Sequence, residues 1–294
     1  MLRVLKQAFK TRVLTNKFPA VQSEPPAGLQ GKPVIDFAQC TAGDVCADAC
    51  PTGALSFEKR HKDARSGKIT AEFTLDYGKC IYCGECMLAA PESITIATEL
   101  PSATTNKANL TSRAVYQKDK RKGWKLVESV ATPAPLTQEE DNKASVEVLG
   151  KSVNEAVNRI FGRSLHIREV DAGSCNGCEI EITALSNPIY DVERFGIHFV
   201  ASPRHADMLL VTGPVTRNMA IALEQTYDAT PGPKPVIAVG ACGISGGRFG
   251  QSYASSGGVD IVIPFDVYIP GCPPGSEPLL PGILLALNRW PEQP

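Results

Sequence analysis

The sequence lacks a long apolar run. No stretch approaches the roughly 18 residues that a membrane-crossing helix needs, and the nearest candidate is the short ILLAL of residues 283–287. Attachment to a membrane is therefore expected only through partners. An excess of charge of one sign is also missing. A net charge of -1 gives no general reason to expect nucleic acid as a partner. Histidine is scarce, with four in the chain, and His166, His198 and His205 stand at no ligand spacing from any cysteine, so they read as structural. His61 lies in the charged EKRHKDARSGK and reads as a solvent-exposed turn residue. No secretory signal is evident, which points to a reducing cytoplasm and against a disulfide framework. With 294 residues and 43% hydrophobic content the chain has room for two ordinary globular domains.

Cysteine is what the chain has in quantity, with ten in all. Two runs in the first half, CTAGDVCADACP (residues 40–51) and CIYCGECMLAAP (residues 80–91), each resemble the bacterial ferredoxin run C-x-x-C-x-x-C-x-x-x-C-P. Neither is intact. Gly43 replaces the second cysteine of the first run, and Ala90 replaces the fourth cysteine of the second. In two-cluster ferredoxins the last cysteine of each run ligates the other run's cluster. Under that rule both losses fall in one cluster, which keeps only Cys40 and Cys46. The other set, Cys50, Cys80, Cys83 and Cys86, is complete. The first half therefore reads as an α+β ferredoxin-like module that keeps one [4Fe-4S] cluster, with Cys40 and Cys46 as relics.

The second half carries GSCNGCEIE (residues 173–181), VGACGISGG (residues 239–247) and PGCPPG (residues 270–275), and so contributes Cys175, Cys178, Cys242 and Cys272. Apolar runs at 165–171, 206–213, 234–240 and 266–271 alternate with helix-like segments, which predicts a parallel sheet covered on both faces. Three of these runs end at a cysteine. Ligands collect outside the carboxyl ends of such strands, so the four cysteines can converge. A closed zinc site is the rival use of four thiolates, but structural zinc usually sits in small modules that need the metal to fold. GACGISGGRFG lacks both the Lys-Ser/Thr ending of a phosphate loop and the spacing of the dinucleotide fingerprint.

From about Arg163 to Leu287 the chain resembles the cluster-bearing small subunit of energy-converting, formate hydrogenlyase-type [NiFe] hydrogenases, homologous to the 20 kDa subunit family of NADH:quinone oxidoreductase. The resemblance rests on the three cysteine motifs, on Glu181, on SPRHAD (residues 202–207) and on GCPP (residues 271–274). The respiratory subunit has adjacent cysteines at the first motif; the Cys-Asn-Gly-Cys found here is similar to the hydrogenase branch. Ala241 stands where many relatives have an acidic residue. The resemblance implies an α/β flavodoxin-like domain whose Cys175, Cys178, Cys242 and Cys272 hold a proximal [4Fe-4S] cluster against a [NiFe] large subunit. It also implies membrane-embedded subunits reached through the complex, a peripheral position on the inner face of the cell membrane, and an electron donor or acceptor protein at the ferredoxin domain. The nickel-iron centre would need two further C-x-x-C pairs, so no nickel is expected on this chain. The functional expectation is an electron-transfer subunit of a hydrogenase or formate hydrogenlyase-type oxidoreductase, without a complete active site of its own. The alternatives are a quinone-reducing counterpart in a NADH:quinone oxidoreductase-type complex and a cluster-stabilised adaptor to a nickel-free large subunit. Glu181, one helical turn past Cys178, is a candidate proton-coupling residue, or else an acid stabilised by the helix N-terminus.

The remaining segments set the domain bounds. Residues 1–30 form a basic amphipathic segment with Leu2, Leu5, Phe9 and Val13 at near-helical spacing. A transit peptide, a membrane-surface helix and a helix docking on a partner are its three readings. Residues 31–98 form the ferredoxin-like domain, and 99–144 an extended arm and linker containing the charge run KDKRK. Residues 145–294 form the second domain, entered through a helical stripe over 145–162.

Overall fold

The four expected runs form β7 (Leu165–Asp171), β9 (Met208–Thr212), β10 (Val236–Val239) and β11 (Val267–Ile269), and a fifth strand that the sequence pattern does not mark, β8 (Ile197–Phe199), joins their sheet. In the computed structural model they lie in the order β11-β10-β9-β7-β8, all parallel. The structure describes residues 31–40, 43–62, 69–97, 102–119, 123–130 and 146–289. The amphipathic segment at 1–30 therefore lies outside the described residues.

Every residue of β9, β10 and β11 is buried, the pattern of a parallel sheet with both faces covered. Side chains alternate across the sheet. Ile167, Met208, Leu210, Ile237 and Val239 face one core with Val153, Ala156 and Val157 of α3 (Val146–Phe161) and Leu279, Leu280 and Ile283 of α7 (Ser276–Asn288). Leu209, Val211, Val236 and Ala238 face the other, with Leu223 of α5 (Arg217–Ala229). This second core continues without a break into Phe73, Leu75, Tyr77 and Leu110 of the first module.

The first module holds a two-stranded ladder of β1 (Pro33–Ile35) and β4 (Ile94–Ile96), antiparallel. A short helix follows the start of each cysteine run, α1 (Gly43–Ala49) and α2 (Glu85–Ala89). Beside them runs an antiparallel sheet of β2 (Leu55–Lys62), β3 (Ile69–Asp76), β5 (Thr111–Asp119) and β6 (Gly123–Val130), in the order β2-β3-β5-β6.

Two sequence expectations differ from this arrangement. Residues 111–130 read as part of a connecting arm, yet their described part is a hairpin built into the first module's sheet. The alternation of Ala114 and Tyr116, both buried, supplies the apolar face that a free arm would lack. Thr104 then pairs with Tyr268 of β11, its N–H and carbonyl exchanging bonds of 3.0 and 2.7 Å, so part of the arm is a staple between the domains. The charged segment around His61 also begins as strand, since β2 runs to Lys62; the side chain of His61 and residues 63–68 lie outside what the structure describes.

Candidate iron-sulfur sites

In the first module the second cysteine run bends tightly enough to turn three thiols inward. Tyr82 takes a positive φ of 55° between Cys80 and Cys83, and Gly84, at φ 79°, starts the helix α2 that carries Cys86. Cys50 arrives from the end of α1. Cys50, Cys80, Cys83 and Cys86 line a single cavity, closed by apolar neighbours such as Pro33, Leu55 and Leu75. The N–H groups of Leu55 and Tyr82 donate to Cys50 Sγ and Cys80 Sγ at 3.5 and 3.4 Å. Burial pushes the Cys80 thiol up to about 12 and the Cys86 thiol up to about 11, and the neighbouring thiols act in the same direction. These groups resist charging alone. A cluster that takes all four as thiolates offsets that cost, and the backbone N–H groups aimed at sulfur suit it.

In the second domain the cysteines sit where the parallel strands end. Cys175 and Cys178 follow β7, at the start of α4 (Gly177–Ala184); Cys242 lies in α6 (Gly240–Ser245), directly after β10; Cys272 follows β11. The Ala241 N–H donates to the Gly271 carbonyl at 2.8 Å and ties the second loop to the third. Gly240 has φ +79°, and a Cβ there would stand 2.7 Å from Cys178 Sγ, so only glycine lets this backbone approach the thiol. A Cβ on Gly247 would likewise meet Cys242 Sγ at 2.8 Å. Burial raises the Cys178 thiol and pushes Cys242 up to about 11, with other cysteines of the set adding repulsion in each case. Cys175 and Cys272 are exposed. Two members of this set thus face outward, whereas in the first set none is exposed: Cys80 and Cys86 are buried and Cys50 and Cys83 half-buried.

The two sets adjoin. Cys272 feels Cys83 as well as Cys175, and the buried Tyr82 feels both Cys80 and Cys272. Ser245 Oγ donates to the Gly78 carbonyl at 2.8 Å, and Arg248 Nη1 to the Pro51 carbonyl at 2.6 Å.

The corner that the sequence marks as a lost cluster is filled. A Cβ on Gly43 would lie 2.5 Å from Cδ2 of Phe57. Phe57 stands edge-on to Phe73 and Trp124, and Phe37 edge-on to Phe73. Cys40 and Cys46 are 2% and 0% exposed, and Cys46 is pushed up to about 12 by burial and then by Cys40. Buried cysteines outside a disulfide pack as small apolar side chains.

Glu181 does not face the cysteines as a free proton carrier. Its Oε2 accepts from the N–H and Oγ of Ser276, both at 3.0 Å, and so caps the first turn of α7. Among the described residues the acid whose charge acts on these thiols is Glu179, which sequence reasoning missed although it directly follows Cys178. Glu179 acts on both Cys178 and Cys242, accepts a hydrogen bond from Thr212 Oγ1, and stands beside Glu169 of β7. Burial, then the charge of Glu179, pushes the Glu169 carboxyl up to about 7. Three histidines gather with one another: His166 Nδ1 lies 3.2 Å from the His205 carbonyl oxygen, and its ring stands edge-on to His198. In the SPRHAD loop, Asp207 takes both Arg163 amine groups and the His166 N–H, which makes it a structural anchor.

Comparison with known proteins bears on both halves. The model of the family described as "NADH ubiquinone oxidoreductase, 20 Kd subunit" matches residues 175–286, and that of a "4Fe-4S dicluster domain" matches residues 38–94. A probable membrane-bound hydrogenase subunit mbhJ of Pyrococcus furiosus is 50% identical over 131 residues, 45% of this chain and 78% of that protein. Formate hydrogenlyase subunit 7 of Escherichia coli is 46% identical over 53% of this chain and 58% of its own length. A NADH-quinone oxidoreductase subunit of Phocaeicola vulgatus is 46% identical over 49% of this chain and 71% of its own length.

Proposed function

The chain belongs to the 20 kDa subunit family of NADH:ubiquinone oxidoreductase, and from that membership we propose that it relays electrons through two [4Fe-4S] clusters in a membrane-associated, hydrogenase-type complex. It is an electron-transfer subunit of an oxidoreductase of the hydrogenase or NADH-quinone oxidoreductase kind. The finer reading assigns Cys50, Cys80, Cys83 and Cys86 to a relay cluster in a ferredoxin-like module. Cys175, Cys178, Cys242 and Cys272 hold a proximal cluster on a flavodoxin-like domain. The observation that carries it is the closure of both sets: four thiols around one cavity, and four at neighbouring strand ends with backbone N–H groups and glycines fitted to sulfur.

When bound, the clusters supply reversible one-electron chemistry; this chain supplies binding, geometry and insulation. The wrapped set keeps water from the relay site. The outward thiols Cys175 and Cys272 suit a large subunit that seats its active centre against them. Among the described residues no helix is long and apolar enough to cross a membrane; in this reading the complex reaches the membrane through its partner subunits.

Iron analysis and EPR on the anaerobically reconstituted chain should find about eight irons in two cubane clusters. About twelve irons, or tightly bound zinc, would overturn the assignment. The relationship to the Phocaeicola NADH-quinone oxidoreductase subunit supports a second reading, a quinone-reducing complex. The separated Cys175 and Cys178 favour the hydrogenase side. Nickel in the co-purified large subunit decides between them.

A further inference from the structure

The segment that follows Cys242 touches both cysteine sets. The backbone N–H of Arg248 donates to Cys242. Its guanidinium Nη1 donates to the carbonyl of Pro51, at 2.6 Å, the residue next to Cys50. Ser245, three residues earlier, donates to the carbonyl of Gly78, at 2.8 Å, two residues before Cys80. Gly78 lies so close to Ile244 that a Cβ on it would meet Ile244 Cγ2 at 2.9 Å. Lys107 fastens the far side of the same segment, donating to the Ile244 carbonyl at 3.1 Å and pairing with Asp260 at 3.3 Å. Residues 244–248 therefore join a ligand loop of one set to ligand loops of the other.

The geometry of this joint matters because electron tunnelling weakens steeply with separation, so a small displacement of one ligand loop changes the rate strongly. Most of the joint uses backbone or a neutral hydroxyl. Arg248 alone in it binds one set through its main chain and reaches the other through a charged side chain, and charge-assisted hydrogen bonds are the stronger kind.

We propose that Arg248 is a positioning residue for electron exchange between the two cysteine sets, holding the Cys50 loop at a fixed distance from Cys242. The inference rests on the two-cluster reading above. In the step it serves, one electron leaves one cluster, which is oxidised, and enters the other, which is reduced; no bond forms or breaks and no proton moves.

The test uses the full chain with its clusters reconstituted, in wild-type, Arg248→Ala and Arg248→Lys forms. Iron content and the separate EPR signals of the half-reduced protein report each cluster; the magnetic broadening of the fully reduced protein and the flash-reduction kinetics report their coupling. Arg248→Ala should keep its iron and both separate signals, because the backbone donor to Cys242 remains. It should show weaker mutual broadening and exchange electrons several-fold more slowly, with partial recovery in Arg248→Lys. Unchanged broadening and rate in an iron-replete Arg248→Ala would overturn the inference while leaving the two-cluster reading intact. Loss of iron in Arg248→Ala would overturn it too, since Arg248 would then be retaining a cluster rather than spacing two. Absence of two clusters from the wild-type chain would instead sink the reading beneath it.

Discussion

The two cysteine sets are held in contrasting ways. In the first module Cys80 and Cys86 are each 9% exposed and the four thiols enclose a cavity. In the second domain Cys175 and Cys272 are exposed at the edge of a parallel sheet, over the buried Cys178 and the Glu169–Glu179 pair. The wrapped set depends on its own module for insulation. The outward set, in the proposed relay, is approached by another protein at the exposed Cys175 and Cys272. A relay between a donor and a partner's active centre needs both: an interior that fixes the potential and an edge that can be approached.

The contrast sharpens inside the first module, where one corner is closed and the other has been filled. A packed interior tolerates few voids, so a corner without a cluster must be packed by side chains. Here a Cβ on Gly43 would meet the Phe57 ring, and Cys40 and Cys46 are buried in one apolar cluster with Phe73, against which Phe37 and Phe57 pack. The largest effect should come from treating the two kinds of cysteine alike. Cys80→Ala is expected to lower the iron content from about eight to about four per chain, whereas Cys46→Ala should leave it unchanged. Iron loss from Cys46→Ala would show that the filled corner still holds metal, and the contrast would fail.

Next in size is the aromatic filling itself. Phe73 is fully buried and touches Phe37 and Phe57 edge-on, and truncating such a residue usually costs about 3–5 kcal/mol. Thermal or denaturant unfolding of Phe73→Ala should register a loss of that order. A loss below about 1 kcal/mol would mean that the corner collapses freely and was never tightly packed. A smaller effect is expected from restoring the missing ligands. Gly43→Cys with Ala90→Cys should add no iron, because the new side chain at 43 meets the Phe57 ring, and overpacking of this sort costs about 1–3 kcal/mol. Recovery of a further cluster would show that the ring moves aside.

Much of this was legible in the sequence, and the unread part has physical causes. Ligand spacing is local, so the runs at 40–51 and 80–91 can be paired by the crossing rule from the sequence alone. The parallel sheet follows from runs such as MLLVT and VIAV, buried on both faces. Long-range packing is not legible in that way. Nothing adjacent to Gly43 announces that Phe57, on a later strand, fills its space. The hairpin at 111–130 carries the charged run between its strands, and that run reads as linker because its apolar partners lie on β3. Glu181 and Glu179 differ by two positions in one short helix. That is enough to send one to Ser276 and the other toward Cys178; the helical register alone separates them once Glu179 is weighed.

The carboxylate pair beneath the outward set gives the smallest effect, and one with a definite sign. Glu169 Oε1 and Glu179 Oε2 are buried without a hydrogen-bond partner among the described residues, and Arg168 only partly opposes the repulsion on Glu169. With its carboxyl raised from the ordinary 4.5 to about 7 in the fold, Glu169 binds its proton more tightly folded than unfolded. Between those values the native state holds more protons, so stability falls as pH rises. The contribution is whole below about 4.5 and lost through about 7. The wild-type melting temperature should therefore drop between about pH 5 and pH 7 and level off above, and Glu169→Gln, which cannot charge, should flatten that slope while leaving the iron content unchanged. An identical slope in the variant would place the pH dependence elsewhere, and would remove the buried pair from the features that set the outward site apart from the wrapped one.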